Sequence, residues 1–317
     1  MNYRTVINKF HQFGGFRLVK EYAKLGVLPE VARGIIKGKS LKILYYTSLS
    51  KVEPYLKDKY SPFMLERKAY YEGQKLEHKR SKIVWFCWLQ GIEQAPPIVK
   101  ACLASLKQHL MDREIKIITN DNWREHVELP EYIIDRWEKK EMPPALFSDL
   151  LRLQLLIRYG GTWIDSTLLC TGTEHAQKYL DADLFMFQYT APEEFPSSFR
   201  GISNWFITSC TNNELLLILR DMLYAYWKDF DCTLDYYIFH YFFALLVREC
   251  PDSIKEMPYG FSEWSITLVA HWGESFNQKK WDKLTRIVNF HKLTYTVEDK
   301  VKRDKGNYYN WILARNC

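Results

Sequence analysis

The chain lacks most of the motifs by which an enzyme class is recognised at sight. Its seven cysteines (Cys87, Cys102, Cys170, Cys210, Cys232, Cys250 and Cys317) contain no C-x-x-C pair and are odd in number. That argues against a zinc site or a disulfide framework and for reduced thiols in a cytoplasmic protein. The eight histidines show no H-E-x-x-H or similar ligand spacing, which removes the common zinc-hydrolase patterns. No apolar run approaches the ~20 residues that a membrane-spanning helix needs. Arg4, Lys9 and His11 interrupt any secretory leader at the start. The expected location is therefore cytoplasmic, with a peripheral place on the inner face of the membrane as the extension of that reading. Internal repeats and low-complexity tracts are missing too, which excludes solenoids and linker-like chains.

What is present is an ordinary globular composition with an uneven charge. A length of 317 residues suits one large α/β domain with an appendage, or two small domains. The aromatic share of 16% is high; Tyr and Trp on that scale serve sugar or base stacking, although large cores consume them as well. The net charge of +6 conceals 18 Lys and Arg against 7 Asp and Glu in residues 1–82, and 26 against 31 in the rest. A basic first quarter fits an anionic membrane surface or a solvated helical face. Nucleic acid is the weaker partner class, because the positive charge stops before the sheet begins.

Residues 1–81 read as a basic helical N-terminal extension. Val6, Ile7, Phe10, Phe13, Phe16, Leu18, Val19, Tyr22 and Leu25 alternate with Arg4, Lys9, Arg17, Lys20 and Lys24, as in an interfacial helix or one packed on a larger domain, and Gly14-Gly15 breaks any single long helix. Residues 82–317 form the main domain. Ile83 to Trp88 is a β-favouring run, Pro96-Pro97 opens a helix, and Ile115 to Thr119 is a second strand. That order is a βαβ unit and predicts a parallel sheet. Asn120-Asp121-Asn122 offers a cap for the short helix that follows. Two further strands are expected over 183–189 and 202–207, and helices over 213–230 and 233–250, the latter so aromatic that core is its simplest reading.

The informative stretch runs from Pro144 to Leu169. An apolar helix stops at Gly160-Gly161 and turns directly into a strand that ends near Asp165. Leucines cover most of that helix, yet it also carries Asp149 and Arg152, three residues apart and therefore on one face. Charges in such surroundings are costly unless they pair or meet a ligand. Asp165, Ser166 and Thr167 bring a carboxylate and two hydroxyls to a strand end, the edge at which open α/β sheets bind ligands. A packing pair and a turn-starting Asp explain each feature singly; their spacing points to a site. A strand-end carboxylate suits a nucleoside diphosphate, bridged through a divalent cation. Trp88, at the end of the first strand, suits a base, with Trp85 as its rival and plain core as the alternative.

The blocks V-W-F-C-W-L-Q-G and S-D-L-L-R-L-x-L-L-x-x-Y-G-G-x-W-x-D-x-T resemble the DXD-containing sugar transferases (glycosyltransferase family 32-like) that include bacterial capsular polysaccharide synthesis proteins. Yeast initiating mannosyltransferases and the glucosylating domains of large clostridial toxins are more distant members. The resemblance covers Lys82 to Thr171 well, Ser203 to Leu219 and the His291 segment more loosely, and leaves out the first 80 residues. It implies a GT-A fold, with a Rossmann-like, mixed and mainly parallel sheet flanked by helices. It also implies a UDP- or GDP-sugar donor and transfer with retention. Carried over residue by residue, Trp88 stacks on the base. Asp149 and Arg152 hold donor-sugar hydroxyls, with Gly161, Asp165 and Thr167 completing the donor site. Asn204 lies near donor sugar and acceptor. Asp149, Arg152, Asp165 and Asn204 thus form the implied catalytic set. Asp165, Thr167 and His291 would hold Mn2+ or Mg2+, although His291 as an isolated residue is more often structural. The sequence departs from D-x-D at Thr167, a place where threonine is common in the capsular branch; a hydroxyl is a poorer ligand than a carboxylate, which weakens the expectation of a metal.

The reading that results is a hexosyltransferase acting on a glycan or lipid-linked glycan acceptor. Its competitor is a nucleotide-sugar-binding or scaffolding protein without catalysis, motivated by the missing second Asp.

Overall fold

The computed structural model describes residues 11–189 and 201–316. The expected amphipathic residues Arg4, Val6, Ile7, Lys9 and Phe10 lie outside that range. The strands are β1 (Ile83–Cys87), β2 (Glu114–Ile118), β3 (Gly161–Asp165), β4 (Leu168–Cys170), β5 (Leu184–Gln188), β6 (Ile202–Ser209) and β7 (Phe290–Lys292). Helices of nine residues or more are α1 (Phe16–Lys24), α2 (Val27–Ile36), α3 (Leu41–Glu72), α4 (Pro97–His109), α5 (Pro144–Tyr159), α6 (Glu214–Asp229) and α7 (Ile238–Glu249), followed by α8 (Ser262–His271), α9 (Gln278–Ile287) and α10 (Tyr308–Asn316).

The main sheet has the order β2-β1-β3-β6-β5. β1 pairs in parallel with β2 and β3, and β6 is antiparallel to both β3 and β5. Four of the five strands therefore point one way and β6 alone opposes them, which is the mixed, mainly parallel α/β sheet expected. Alternation along the strands sends side chains to two cores. Trp85, Trp163, Met186 and Ile207 enter the one that contains α5, α6 and α7. Val84, Phe86, Ile164, Phe185, Phe187 and Phe206 enter the one that contains α4 and β7. Burial on both faces is what parallel strands require.

The N-terminal helices are packed on this body. Val52, Leu56, Tyr60 and Met64 of α3 share the core of α6 and α7, and Arg67 and Tyr71 both reach Asp221 at 2.8 Å. The inner side of α1 follows the same route: Leu18, Tyr22 and Leu25 meet the core, and the Tyr22 hydroxyl donates to the Leu234 carbonyl at 2.8 Å. The expected cap by Asn122 is not made. Its carboxamide oxygen accepts from the Thr119 N–H at 2.8 Å and its nitrogen donates to the Ile117 carbonyl, so the side chain secures the strand end instead.

Candidate active site

Local chain geometry brings the charged residues of α5 and β3 together. Pro143 and Pro144 open α5, and Gly160 closes it with φ of +65°. Gly161 follows at φ +93°, and a Cβ there would lie 2.2 Å from the Ile83 carbonyl oxygen. Only glycine lets β3 start so close to β1. The strand then runs in register with β1, Cys87 opposite Asp165, so that Trp88 and Asp165 leave the carboxyl ends of adjacent parallel strands. A cleft of about 460 Å³ opens at that edge, lined by Trp88, Asp149, Arg152, Asp165, Ser166 and Asn204 among others.

Its floor is a chain of polar contacts. Arg152 Nη1 lies 3.0 Å from Asp149 Oδ1 and donates to the Asn204 carbonyl at 2.7 Å. The Asn204 side chain donates to Asp149 Oδ1 at 2.9 Å. Arg152 Nη2 reaches the Ser148 hydroxyl at 3.2 Å and Asp165 Oδ1 at 3.5 Å, while its guanidinium lies over the Trp163 ring, 4.8 Å from the centroid. The Trp163 indole N–H donates to Asp165 Oδ1 at 3.0 Å. Asp165 Oδ2 meets Lys292 Nζ at 3.3 Å, and Lys292 donates to the Thr167 hydroxyl at 2.6 Å. Asp149 and Arg152 are both buried, whereas Asp165 and Lys292 retain partial exposure toward the cleft. Burial pushes the Asp149 carboxyl up to about 7, against the pull of Arg152. A buried carboxylate otherwise costs several kcal/mol, and the surrounding donors offset only part of that.

The expected site residues divide into those that converge and those that do not. Trp88, Asp149, Arg152, Asp165 and Asn204 line one cleft. Thr167 borders it through Lys292. Trp88 is half-buried, meets Tyr295 edge-on at 5.5 Å, and finds no partner for its indole N–H among the described residues. Its rival Trp85 is core, its N–H bound to the Gly160 carbonyl at 3.0 Å. Gly161 lies at the opposite end of β3 from Asp165, so its part is to place the strand. His291 is fully buried on β7, pairs with Leu169 across the ladder, and has Nε2 3.2 Å from the Thr171 hydroxyl. Burial lowers its pKa to about 4, which leaves the imidazole neutral. It is not among the residues that line the cleft.

The expected cation cage is thus incomplete. Of its three members only Asp165 presents a carboxylate, Thr167 already accepts from Lys292, and His291 points elsewhere. Among the described residues, no group of three or more His, Cys, Asp or Glu is arranged to hold a metal ion. The residues present do not fit a protein-held Mn2+ or Mg2+.

Other lining residues were missed from the sequence: Lys292, Tyr295, Tyr189, and Tyr236, Tyr237 and His240 at the start of α7. These three belong to the aromatic stretch read as core. Ile238, Phe239, Phe242 and Phe243 are indeed core, but Tyr236 and Tyr237, just before the helix, and His240 within it line the cleft. For Lys292 the available signal was its place beside His291 on a strand, where neighbouring side chains take opposite faces.

Residues 34–312 match the family described as capsular polysaccharide synthesis protein. The chain belongs to that family. The membership bears out the resemblance to capsular sugar-transferring enzymes, and the match begins at residue 34, well inside the segment that the sequence blocks left out. No curated protein is significantly similar to this capsular family member. Among solved structures, one titled PaToxG glycosyltransferase is similar over 83% of this chain and 98% of its own, at 12% identity and a TM-score of 0.39.

Proposed function

We propose that this capsular polysaccharide synthesis protein is a retaining glycosyltransferase. In this reading it moves a hexose from a nucleoside diphosphate sugar, UDP- or GDP-linked, to a glycan or lipid-linked glycan acceptor. The supporting observation is the unbroken polar chain Asp149–Arg152–Asp165–Lys292 at the carboxyl ends of parallel strands, with Trp88 at its rim. Trp88 offers a face to the base. Lys292 supplies positive charge for the diphosphate, and Asp149 and Arg152 with Asn204 offer acceptors and donors to the sugar hydroxyls.

In the reaction the acceptor oxygen bonds to the anomeric carbon while the bond from that carbon to the diphosphate oxygen breaks. The bonding pair leaves with the phosphate oxygen, which takes the acceptor proton on the same face. Charge grows on the diphosphate, so preorganised cations stabilise the transition state more than the ground state. Tyr236, Tyr237 and His240, which also line the cleft, suit an incoming glycan, because aromatic faces pack on sugar rings. The outer surface of α1 and α2 suits the inner membrane face, where a lipid-linked acceptor would be presented: Phe16, Ile35 and Ile36 are exposed beside Lys20, Lys24 and Lys37.

Calorimetry with UDP and GDP beside a sugar-release assay tests the proposal against its competitor. A transferase binds one nucleotide and releases sugar from the matching donor, with an α-linked donor giving an α-linked product by NMR. Nucleotide binding without turnover on any donor would make the protein a nucleotide-sugar-binding scaffold.

A further inference from the structure

We infer that the cation facing the diphosphate in this protein is the ammonium of Lys292, in the place where the D-x-D arrangement would put a divalent metal. The inference rests on the reading of the cleft as a nucleoside diphosphate site.

Lys292 is held in place by its strand. β7 pairs antiparallel with β4, Lys292 opposite Leu168, and the Leu293 N–H donates to the Thr167 carbonyl at 2.9 Å. That pairing brings Lys292 Nζ between the Thr167 hydroxyl, at 2.6 Å, and Asp165 Oδ2, at 3.3 Å. These two residues occupy the two acidic places of D-x-D. An ammonium has three N–H donors. Thr167 takes one and Asp165 engages a second, which leaves a third for a phosphate oxygen in the cleft that Lys292 lines.

The chemistry of Thr167 follows from this neighbour. A threonine hydroxyl is a neutral acceptor that positions the ammonium without adding charge. A second carboxylate there would add a negative charge beside the diphosphate and would call for a divalent ion to offset it. With Asp165 already shared between Arg152 and Lys292, the site carries its own counter-charge. The missing Asp and the lysine are then one substitution in two parts: a carboxylate exchanged for a hydroxyl, and a metal for an ammonium.

Isothermal calorimetry of UDP and GDP binding tests this on wild-type protein and on Lys292→Met, each in EDTA and in millimolar Mg2+ or Mn2+. The expected result is that one nucleotide binds wild-type protein with an affinity that differs by less than about threefold between EDTA and metal. Lys292→Met should lose about tenfold to a hundredfold in EDTA, the range for a charge-assisted hydrogen bond to phosphate, and Lys292→Arg should recover part of it. Wild-type binding that disappears in EDTA overturns the inference and leaves the transferase reading standing. So does unchanged affinity in folded Lys292→Met. If Lys292→Met does not fold, the wild-type comparison decides alone. Absence of binding by either nucleotide in every condition overturns the reading of the cleft, and the inference with it.

Discussion

Asp149 is a buried carboxyl group in the floor of the cleft. Burial first, and the nearby Asp165 charge in addition, raise its pKa from 3.8 to about 7, while Arg152 and the Asn204 hydrogen bond pull the other way. For an acid whose folded pKa is raised, the associated stability is fully present below the unfolded value and is lost as pH rises through the folded one. Asp149→Asn cannot ionise, so its melting temperature should gain on that of the wild type between about pH 4 and pH 7 and then hold a constant lead. A constant difference over that range would show that Asp149 is ionised throughout. Trp88 gives a second residue-level expectation. Stacking on a base is worth about 1–3 kcal/mol, so Trp88→Ala should weaken nucleotide binding by about fivefold to 150-fold in calorimetry, and Trp88→Phe should restore much of it. Equal affinity in Trp88→Ala would return this residue to ordinary packing. The neighbouring pair His291 and Lys292 shows where residue-level reading from sequence fails. Either could serve a phosphate site, and a strand of three residues gives no pattern from which to tell which side chain faces the cleft. The pairing of β7 with β4 decides it, and that pairing joins segments more than a hundred residues apart.

At the scale of elements, the turn between α5 and β3 carries the most consequence. Gly161 has φ +93° and no room for a Cβ, which would meet the Ile83 carbonyl at 2.2 Å. Gly161→Ala should therefore destabilise the fold by about 1–3 kcal/mol or more in urea unfolding, from backbone strain and overpacking together. An unchanged midpoint would mean that β3 can shift freely against β1. This turn was legible in the sequence because its signals are local: prolines at the start of the helix, paired glycines at its end, and two charges three residues apart. The βαβ unit and the strands over 183–189 and 202–207 were legible for the same reason. The cleft-lining residues around the start of α7 were not. Tyr236, Tyr237 and His240 share one aromatic run with Phe239, Phe242 and Phe243, and composition cannot separate a cleft wall from the core behind it. The tertiary placement of that helix makes the division.

For the whole molecule, the charge asymmetry and the packing of the first helices act together. α1 turns Leu18 and Tyr22 toward the core, with Leu25 just after it, and leaves Phe16, Lys20 and Lys24 outside, so it is both a packed helix and an amphipathic surface. No helix among the described residues is long and apolar enough to cross a membrane. Sedimentation with liposomes should show binding to vesicles rich in anionic lipid, reduced by salt and by Phe16→Asp with Ile36→Asp. Equal recovery with neutral vesicles would remove the membrane surface as a partner. The cleft as a transfer site is tested by sugar release from a panel of UDP- and GDP-sugars, measured on wild-type protein and on Arg152→Ala. Wild-type protein should release sugar from one donor, and a folded Arg152→Ala variant should lose at least a hundredfold, because the group that joins Asp149, Asn204 and Asp165 is removed. Release that survives in the folded variant would rule the cleft out.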